Sequence, residues 1–205
     1  MFKYILSILL MSISLGSFSH NIYAKAPIEW RLNTSNKHKL ADFKHFFSKH
    51  NIKLLTSQHD LDEIDADPIS VVAHKASQVA ECTLIDDTSL DVEGAAIGVN
   101  VRWMLDHLKH YIGQKAYWRV LLAYRYGDHI IIYKGEVEGT IVAPQGKSVH
   151  GFDAVFLPTG SSNTLAEGVS EEFNARALAV KEMINGHIYI VTSPIYDWEG
   201  AWQAL

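Results

Sequence analysis

Two adjacent carboxylates, Asp86 and Asp87, stand at the end of an apolar run that begins at Thr83. A short apolar run of this kind is typical of a buried strand, which would carry both carboxylates to the mouth of a cleft. Neighbouring carboxylates repel each other unless a hard cation or backbone N–H groups face them, and Mg2+ is the natural cation for oxygen ligands. The same residues also permit a plain turn, in which Thr88 and Ser89 form local hydrogen bonds.

A second group of candidate residues lies between a predicted strand and a predicted helix. Trp30 and Leu32 alternate with polar residues, which is the period of a half-buried strand. Leu40 and the phenylalanines that follow it recur at helical spacing. The turn at residues 34–39 would present free backbone N–H groups and the side chain of Lys39, which together outline a phosphate-binding site. A capped helix with a solvated lysine would show the same pattern.

The rest of the chain predicts the elements that would position these groups. Asp67 followed by Pro68 is a typical helix start, and Lys75 lies further along that helix, either in solvent or leaning into the cleft. Gly127 and Asp128 separate two β-prone runs, as in a hairpin. Further helices are predicted at 103–112 and 173–184, and strands at 52–56, 117–126, 129–133, 136–142 and 188–191. Helices and strands alternate first and antiparallel strands follow, so the predicted fold class is α/β with a mixed sheet.

Residues 1–26 have the features of a secretory signal peptide. Lys3 gives a short positive region, an apolar run follows from Ile5 to Phe18, and Ala24-Lys25-Ala26 has the form of a cleavage site. A membrane anchor or a buried first helix is the alternative, but the run is short for a span and contains serines and a glycine. We therefore expect export to the periplasm or the exterior, and a single domain over residues 27–205 with no membrane attachment after cleavage.

Composition limits the class of partner. The chain has 18 lysines and arginines against 23 aspartates and glutamates, which gives a formal net charge of −5 at pH 7. This acidic balance argues against a nucleic-acid polymer as a partner, although a few local lysines and a metal ion can hold one small polyanion. Cys82 is the only cysteine in the sequence, so no disulfide can form within the chain.

Taken in order, several segments resemble the inosine/xanthosine triphosphate pyrophosphatase family between residues 34 and 183. The turn from Thr34 to Lys39 is similar to the family's T-G-N-x-x-K motif, with Ser35 in place of glycine. The segment from Asp86 to Leu90 is similar to its E/D-D-T/S-G-L motif. Further similarities are found at Leu61–Glu63 with Lys75 downstream, Gly98 with Arg102-Trp103, Gly139–Gly146, Gly151–Ala154 and Thr164–Glu167.

The resemblance implies a mixed central β-sheet flanked by helices, two lobes with a nucleotide cleft between them, and a homodimer. It also implies hydrolysis of non-standard purine nucleoside triphosphates, such as ITP, XTP and dITP, to a monophosphate and pyrophosphate. Mg2+, or Mn2+ in its place, would be held by Glu63, Asp86 and Asp87, with Asp87 or the metal activating the attacking water. The implied phosphate ligands are Thr34, Ser35, Asn36, Lys39 and Lys75, and the implied base contacts are Phe152, Asp153 and Arg176.

The departures from the family pattern are concentrated in one segment. The family's K-N-x-x-S-H-R motif aligns with residues 170–176, where only Arg176 matches. Loss of the lysine and the histidine weakens polar selection of a 6-keto purine. Three functions therefore stay open: a pyrophosphatase with altered base choice, a nucleotide-binding protein on the same fold without turnover, and a related pyrophosphatase for pyrimidine or modified nucleotides.

Overall fold

The structure, a computed structural model, describes residues 29–95, 101–147 and 151–203. Two predictions, the leader at residues 1–26 and the family glycine Gly98, lie outside these ranges. Within them, no helix is both long and apolar enough to cross a membrane. The described strands and α-helices are β1 (Glu29–Asn33), α1 (Lys37–Ser48), β2 (Lys53–Ser57), α2 (Pro68–Ser77), β3 (Thr83–Val92), α3 (Val101–Asp106), β4 (Lys115–Tyr126), β5 (His129–Ile141), β6 (Phe156–Pro158), α4 (Ala175–Asn185) and β7 (Ile190–Thr192).

The strands form one mixed sheet in the order β2-β1-β3-β4-β5-β6, and β7 pairs with the far end of β5. Strand β1 is parallel to both of its neighbours, β2 and β3. The remaining pairs, β3 with β4, β4 with β5, and β5 with β6 and β7, are antiparallel. The predicted fold class, an α/β protein with a central mixed sheet flanked by helices, is confirmed.

Helices cover both faces of the sheet, and alternate residues of the central strands point to separate apolar clusters. Leu84 and Leu122 belong to the cluster that contains the phenylalanines of α1 and the small residues of α4. Ile85 and Leu121 belong to the cluster under α2. Right-handed crossovers explain this arrangement, because the chain moves across the sheet in one direction through α1 and in the opposite direction through α2. The two helices therefore lie on opposite faces.

Local sequence signals set the ends of the main helices. The side chain of Asn36 accepts hydrogen bonds from the backbone N–H groups of His38 and Lys39 and caps α1. Asp67 caps α2 in the same way, with Pro68 at the first helical position as predicted. Helix α4 ends at Gly186, whose φ of 73° is the left-handed conformation that favours glycine.

Three predicted elements, one helix and two strands, were wrong in extent. The helix predicted at 103–112 is divided, because α3 ends at Asp106 and only a 3₁₀ turn follows from Leu108 to His110. The break is at His107, whose backbone leaves the helical region at φ −114° and ψ 20°. The strands predicted at 129–133 and 136–142 are a single strand, β5, since its pairing with β4 continues through Gly135 without interruption.

Gly135 allows helix α4 to pack directly on strand β5. A Cβ atom built on Gly135 would lie 1.9 Å from the carbonyl oxygen of Ala175 and 2.6 Å from the backbone nitrogen of Ala179. Both contacts are with helix backbone, which cannot turn aside as a flexible side chain can. The absence of a side chain at Gly135 therefore sets the distance between α4 and the sheet.

We expect Gly135→Ala to lower the free energy of unfolding by about 3 kcal/mol, because the added methyl group forces α4 away from the sheet. Urea denaturation followed by circular dichroism measures the loss. Gly127→Ala is the matched control, since Gly127 has a φ of 56° with open space around it and an alanine there costs only about 1 kcal/mol of left-handed strain. Equal losses in the two variants would contradict the packing role of Gly135.

Candidate active site

A cleft of about 230 Å³ forms where strand β1 ends and its neighbour β3 continues. Strand β1 pairs with β2 along its whole length, but it pairs with β3 only at Arg31 and Leu32. From Ile85 onward, β3 pairs with β4 on its other side, so the edge that faced β1 is left open. Ligands commonly bind at the carboxyl ends of parallel strands, in crevices of this kind. Asp86 of β3 borders the cleft.

The two adjacent aspartates point to opposite faces of the sheet, because side chains alternate along a strand. Both lie within the continuous strand β3 and are buried, so the interpretation of this stretch as a plain turn was wrong. Lys39 of α1, on one face, places its Nζ 2.7 Å from Oδ2 of Asp86. Lys75 of α2, on the other face, places its Nζ 3.5 Å from Oδ1 of Asp87. Each carboxylate thus receives a lysine from the helix on its own face.

Lys75 also joins the predicted third acid, Glu63, to the pair. The Lys75 Nζ atom lies 2.9 Å from Oε1 of Glu63, and the lysine side chain is largely buried. Burial by itself would lower the pKa of Lys75, but the charge of Asp87 and the hydrogen bond to Glu63 outweigh that effect and raise the pKa. The ammonium group therefore stays charged between two carboxylates. The alternative of a lysine in solvent is excluded for Lys75.

The pKa of Asp87 is raised, because burial disfavours its charged form more than the positive charges of Lys75 and Lys39 favour it. The negative charges of Asp86 and Glu63 act in the same direction as burial. The charged partners therefore have the larger effect on the pKa of Lys75, whereas burial has the larger effect on the pKa of Asp87. The geometry accounts for the difference, since Lys75 has its short contact with Glu63 and only a long one with Asp87.

The turn before α1 is more fully hydrogen-bonded than the sequence predicted. Asn36 caps two N–H groups of the first helical turn, and its own N–H donates to Oγ1 of Thr34. The backbone N–H of Thr34 donates to the carbonyl oxygen of Ser57. Within the described part of the chain, the N–H groups of Ser35 and Lys37 are the ones in this turn that have no protein acceptor. The turn can thus offer two backbone donors to an anion, together with the side chain of Lys39.

The cleft brings most of the predicted metal and phosphate residues together. Asp87 does not line the cleft itself, but it contacts Lys75, which does. No sequence pattern singles out Asn33, whose side-chain Nδ2 donates to the carbonyl oxygen of His59 and whose Oδ1 accepts from the His59 N–H. These two hydrogen bonds hold His59 at the cleft. The predicted residues in the lining are Thr34, Ser35, Asn36, Lys39, Glu63, Lys75 and Asp86, and the further ones are Asn33, His59, Asp60, Leu61 and Ile85.

The three residues predicted to contact the base lie elsewhere. Phe152, Asp153 and Arg176 are not among the described residues that line the cleft. Phe152 is 7% exposed and packs edge-on against Trp118 in the core. Arg176 lies over the ring of Trp118 and donates to the carboxylate of Asp42 at 2.9 Å. Their role in base binding stays a prediction.

The carboxylate oxygens are hard donors, which is the ligand type that divalent cations such as Mg2+ prefer. Among the residues that the structure describes, no group of three or more His, Cys, Asp or Glu is spaced to hold a metal ion. Glu63 and Asp87 nevertheless converge on one cation, the ammonium of Lys75. Mg2+ is often bound through one or two carboxylates, with water and substrate phosphates as the other ligands. In donor type, Glu63, Asp86 and Asp87 therefore fit a divalent cation whose remaining ligands are water or an anion, with Asp86 on the opposite face of the sheet to Asp87.

The chain is similar in sequence to known proteins over most of its length. A sequence model described as the Ham1 family matches residues 30–185. An inosine triphosphate pyrophosphatase from Yarrowia lipolytica is 32% identical in an alignment 161 residues long, which covers 69% of this chain and 85% of the relative. A dITP/XTP pyrophosphatase from Pyrobaculum aerophilum is 27% identical in an alignment 175 residues long, which covers 75% of this chain and 92% of the relative.

Solved structures show the same fold. The Ham1 protein of Staphylococcus aureus superimposes with a TM-score of 0.56 at 18% sequence identity, covering 78% of this chain and 99% of that one. A nucleoside-triphosphatase, named also as a dITP/XTP pyrophosphatase, from Mycobacterium abscessus gives a TM-score of 0.50 at 18% identity, covering 78% of this chain and 93% of that one. The match of the family model over most of the chain, together with the Yarrowia relative, shows that this protein belongs to the Ham1 family.

Proposed function

We propose that the protein is a nucleoside triphosphate pyrophosphatase, which hydrolyses non-standard purine triphosphates such as ITP, XTP and dITP to a monophosphate and pyrophosphate. The observation that carries the proposal is the set of ion pairs in one cleft, Lys39 with Asp86 and Lys75 with both Glu63 and Asp87. Such a site offers cations to phosphate oxygens and carboxylates to a metal ion. The names of the relatives, inosine triphosphate pyrophosphatase and dITP/XTP pyrophosphatase, support the same reaction.

The polyphosphate would bind to the two lysines and to the turn before α1. Lys39 and Lys75 would exchange a carboxylate partner for phosphate oxygens, since both are ammonium groups at the edge of the cleft. The N–H groups of Ser35 and Lys37 would donate to the same anion. Carboxylates that lose their lysine partners need another cation, because otherwise they repel each other and the incoming phosphate. The exchange therefore couples phosphate binding to metal binding.

Catalysis in this family is generally metal-dependent, and we propose Mg2+ as the ion. Glu63, Asp86 and Asp87 would hold Mg2+, or Mn2+ in its place, which would supply positive charge to the phosphate oxygens and to the leaving pyrophosphate. The positions of these three carboxylates determine where the positive charge of the metal ion would lie. Glu63 and Asp87 approach from the side of α2, whereas Asp86 approaches from the side of α1.

Asp87 would accept the proton of the attacking water. Its raised pKa makes the carboxylate a stronger base than an exposed aspartate, and a base with a pKa nearer the working pH transfers protons more effectively. The water oxygen forms a bond to the α-phosphorus, and the bond from that phosphorus to the oxygen bridging the β-phosphorus breaks. Pyrophosphate leaves with the bridging oxygen, and Lys39 and Lys75 neutralise part of the charge that develops on it.

The structure of residues 170–176 supports altered base selection. In the segment that aligns with the family motif, Glu171 forms an ion pair with Lys49, the residue that follows α1, at 2.5 Å. Its carboxylate also lies within hydrogen-bond distance, 3.2 Å, of Nε2 of His45 on α1. Asn174 caps helix α4. These side chains tie the segment to its neighbours, so they do not replace the family's lysine and histidine as contacts to a purine. A nucleotide-binding protein without turnover is the second candidate, and the same departures favour it.

We further propose that the mature protein is exported and forms a homodimer. The charge and apolar pattern of residues 1–26 supports export, with the mature protein in the periplasm or outside the cell. The family resemblance supports a homodimer. The acidic net charge of the chain supports a small nucleotide, and no nucleic-acid polymer, as its partner.

The test of the proposed function is an assay of ITP, XTP, dUTP and GTP with Mg2+, which measures pyrophosphate and phosphate separately. We expect pyrophosphate release from ITP and XTP, with release from GTP closer to theirs than strict base selection would allow, because residues 170–176 carry neither the lysine nor the histidine of the family motif. Pyrophosphate from dUTP alone would point to a pyrimidine substrate. Release of single phosphates would contradict the pyrophosphatase mechanism. No release from any triphosphate, with saturable nucleotide binding by calorimetry, would favour the binding protein.

We expect Asp87→Asn to lower kcat by about 100- to 10,000-fold, because the amide cannot accept the proton of the attacking water. The variant should fold, since it replaces a carboxylate whose burial disfavours its charge. Single-turnover kinetics with ITP measure the rate, and circular dichroism measures the fold. Asp128→Asn in the exposed turn between β4 and β5 is the control for loss of one negative charge. Wild-type turnover by Asp87→Asn would refute the assignment of Asp87 as the base.

Lys39→Met should lower kcat/KM for ITP by about 100- to 1,000-fold, because a charge that stabilises the transition state is removed. Lys37→Met is the matched control, since Lys37 is exposed in the first turn of the same helix. Steady-state kinetics of both variants at saturating Mg2+ make the comparison. If the two substitutions had equal effects, the lysine would act through the general charge of the helix end and not through its contact with Asp86.

A further inference from the structure

Glu63 lies in a segment that has almost no regular structure of its own. Residues 61–65, called here the Glu63 segment, follow strand β2 and precede α2, and their only β-type pairing with another described residue is an isolated bridge at Ile64. Ile64 is fully buried, whereas the Glu63 side chain is 39% exposed at the cleft. The position of the Glu63 carboxylate therefore depends on contacts that come from other parts of the chain.

The chain's C-terminal end supplies most of these contacts. Residues 193–203, called here the strap, run antiparallel to the Glu63 segment, with Trp202 opposite Ile64. The backbone N–H of Gln203 donates to the carbonyl oxygen of Glu63 at 2.9 Å, and its side-chain Nε2 donates to that of Ile64 at 3.0 Å. The N–H of Asp65 donates to the carbonyl oxygen of Ala201 at 2.9 Å. Three hydrogen bonds thus hold Glu63 and the two residues after it.

The strap is itself fixed to helix α2, which carries Lys75. The backbone N–H of Ile195 donates to Oγ of Ser77 at 2.9 Å, and the Ile195 side chain packs against the apolar cluster under α2. The Trp202 ring meets the ring of His74 edge-on at 5.5 Å, although the tryptophan remains 49% exposed. The strap therefore joins the two elements that carry Glu63 and Lys75.

Helix α2 also holds the other end of the Glu63 segment. The side-chain amide of Gln78, at the end of α2, accepts from the N–H of Asp62 at 3.0 Å and donates to its carbonyl oxygen at 2.9 Å. Gln78 and the strap thus bind the backbone on the two sides of Glu63. A residue held in this way loses little further freedom when its side chain binds a cation.

We propose that the strap is a positioning element for the metal-binding carboxylate Glu63, with Trp202 and Gln203 as its positioning residues. The family model ends at residue 185, so the strap lies outside the part of the chain that it matches. The catalytic consequence rests on the function proposed above, whereas the positioning itself does not. The strap sets the distance of the Glu63 backbone from α2, which fixes the approach of the Glu63 carboxylate to Lys75 and would fix its approach to a bound cation.

The effect of the strap on catalysis should appear in the metal dependence of the reaction. Groups that orient metal ligands without touching the metal typically change metal affinity by about 10- to 100-fold. We therefore expect Gln203→Met and Trp202→Ala to raise the Mg2+ concentration for half-maximal pyrophosphate release by about 10-fold. The KM for ITP at saturating Mg2+ should change little, because Lys39 and the turn before α1 are untouched. Neither substitution changes the net charge, so general electrostatics cannot produce the shift.

Three further variants separate positioning from general stability. Trp202→Phe keeps an aromatic ring against His74, so its Mg2+ concentration for half-maximal pyrophosphate release should stay close to that of the wild-type protein. Tyr196→Ala is the matched control, because Tyr196 is an aromatic residue of the same strap that is 62% exposed. Gln78→Met removes the clamp on the opposite side of Glu63 and should raise the Mg2+ requirement as well. Thermal unfolding of every variant identifies any loss of the overall fold.

Hydrogen exchange tests the positioning without any activity. We expect the backbone amide of Asp65 to exchange about fivefold faster or more in Trp202→Ala and Gln203→Met, since its bond to the strap is weakened. The amides of β4 and β5 should not change. If the wild-type protein releases no pyrophosphate, the proposed function is contradicted, but the exchange measurement still tests the role of the strap. Unchanged exchange at Asp65, or an unchanged Mg2+ requirement in an active enzyme, would overturn the role of the strap.

Discussion

The buried carboxylates of strand β3, each paired with a lysine from a different face of the sheet, are the constraint on which the site depends. Asp86 and Asp87 are adjacent in a central strand, so their side chains leave it on opposite faces and each forms its ion pair with a different lysine. Taking a carboxylate out of water is costly unless a cation is close. The fold meets this requirement because α1 and α2 lie on opposite faces, and each carries a lysine level with the end of β1. Handedness of the crossovers thus determines where the charges can be neutralised.

Buried ion pairs contribute little to stability in general, since desolvation offsets much of the attraction. Here the pKa of Asp87 is raised in spite of two nearby lysines, which means that its burial is not fully compensated. An incompletely compensated carboxylate at a cleft is suited to bind a stronger cation or to accept a proton. The same features that make the site a poor source of stability are therefore those that the proposed reaction needs.

Much of this arrangement could be predicted from local patterns in the sequence. The strand periods, the start of α2 at Asp67 and Pro68, and the turn before Lys39 are encoded by neighbouring residues, and the structure agrees with them. The division of the 103–112 helix at His107 could not be predicted, because the apolar spacing continues through the break. Nor could the position of Phe152, since an aromatic side chain that stacks on a base and one that fills a core have the same sequence signal.

Glu63 shows why distant contacts limit such predictions most strongly. Its segment has no helical or strand period, and it is held by Gln78 on one side and by residues at the end of the chain on the other. Glu63 and Ile64 are held through their own backbone carbonyl groups, which every sequence supplies equally, so no residue pattern in the segment marks these contacts. The lysines and aspartates of the cleft are recognisable because their side chains perform the chemistry. The elements that hold them in place can be found only after the chain has folded, and in this protein they extend to the last described residues.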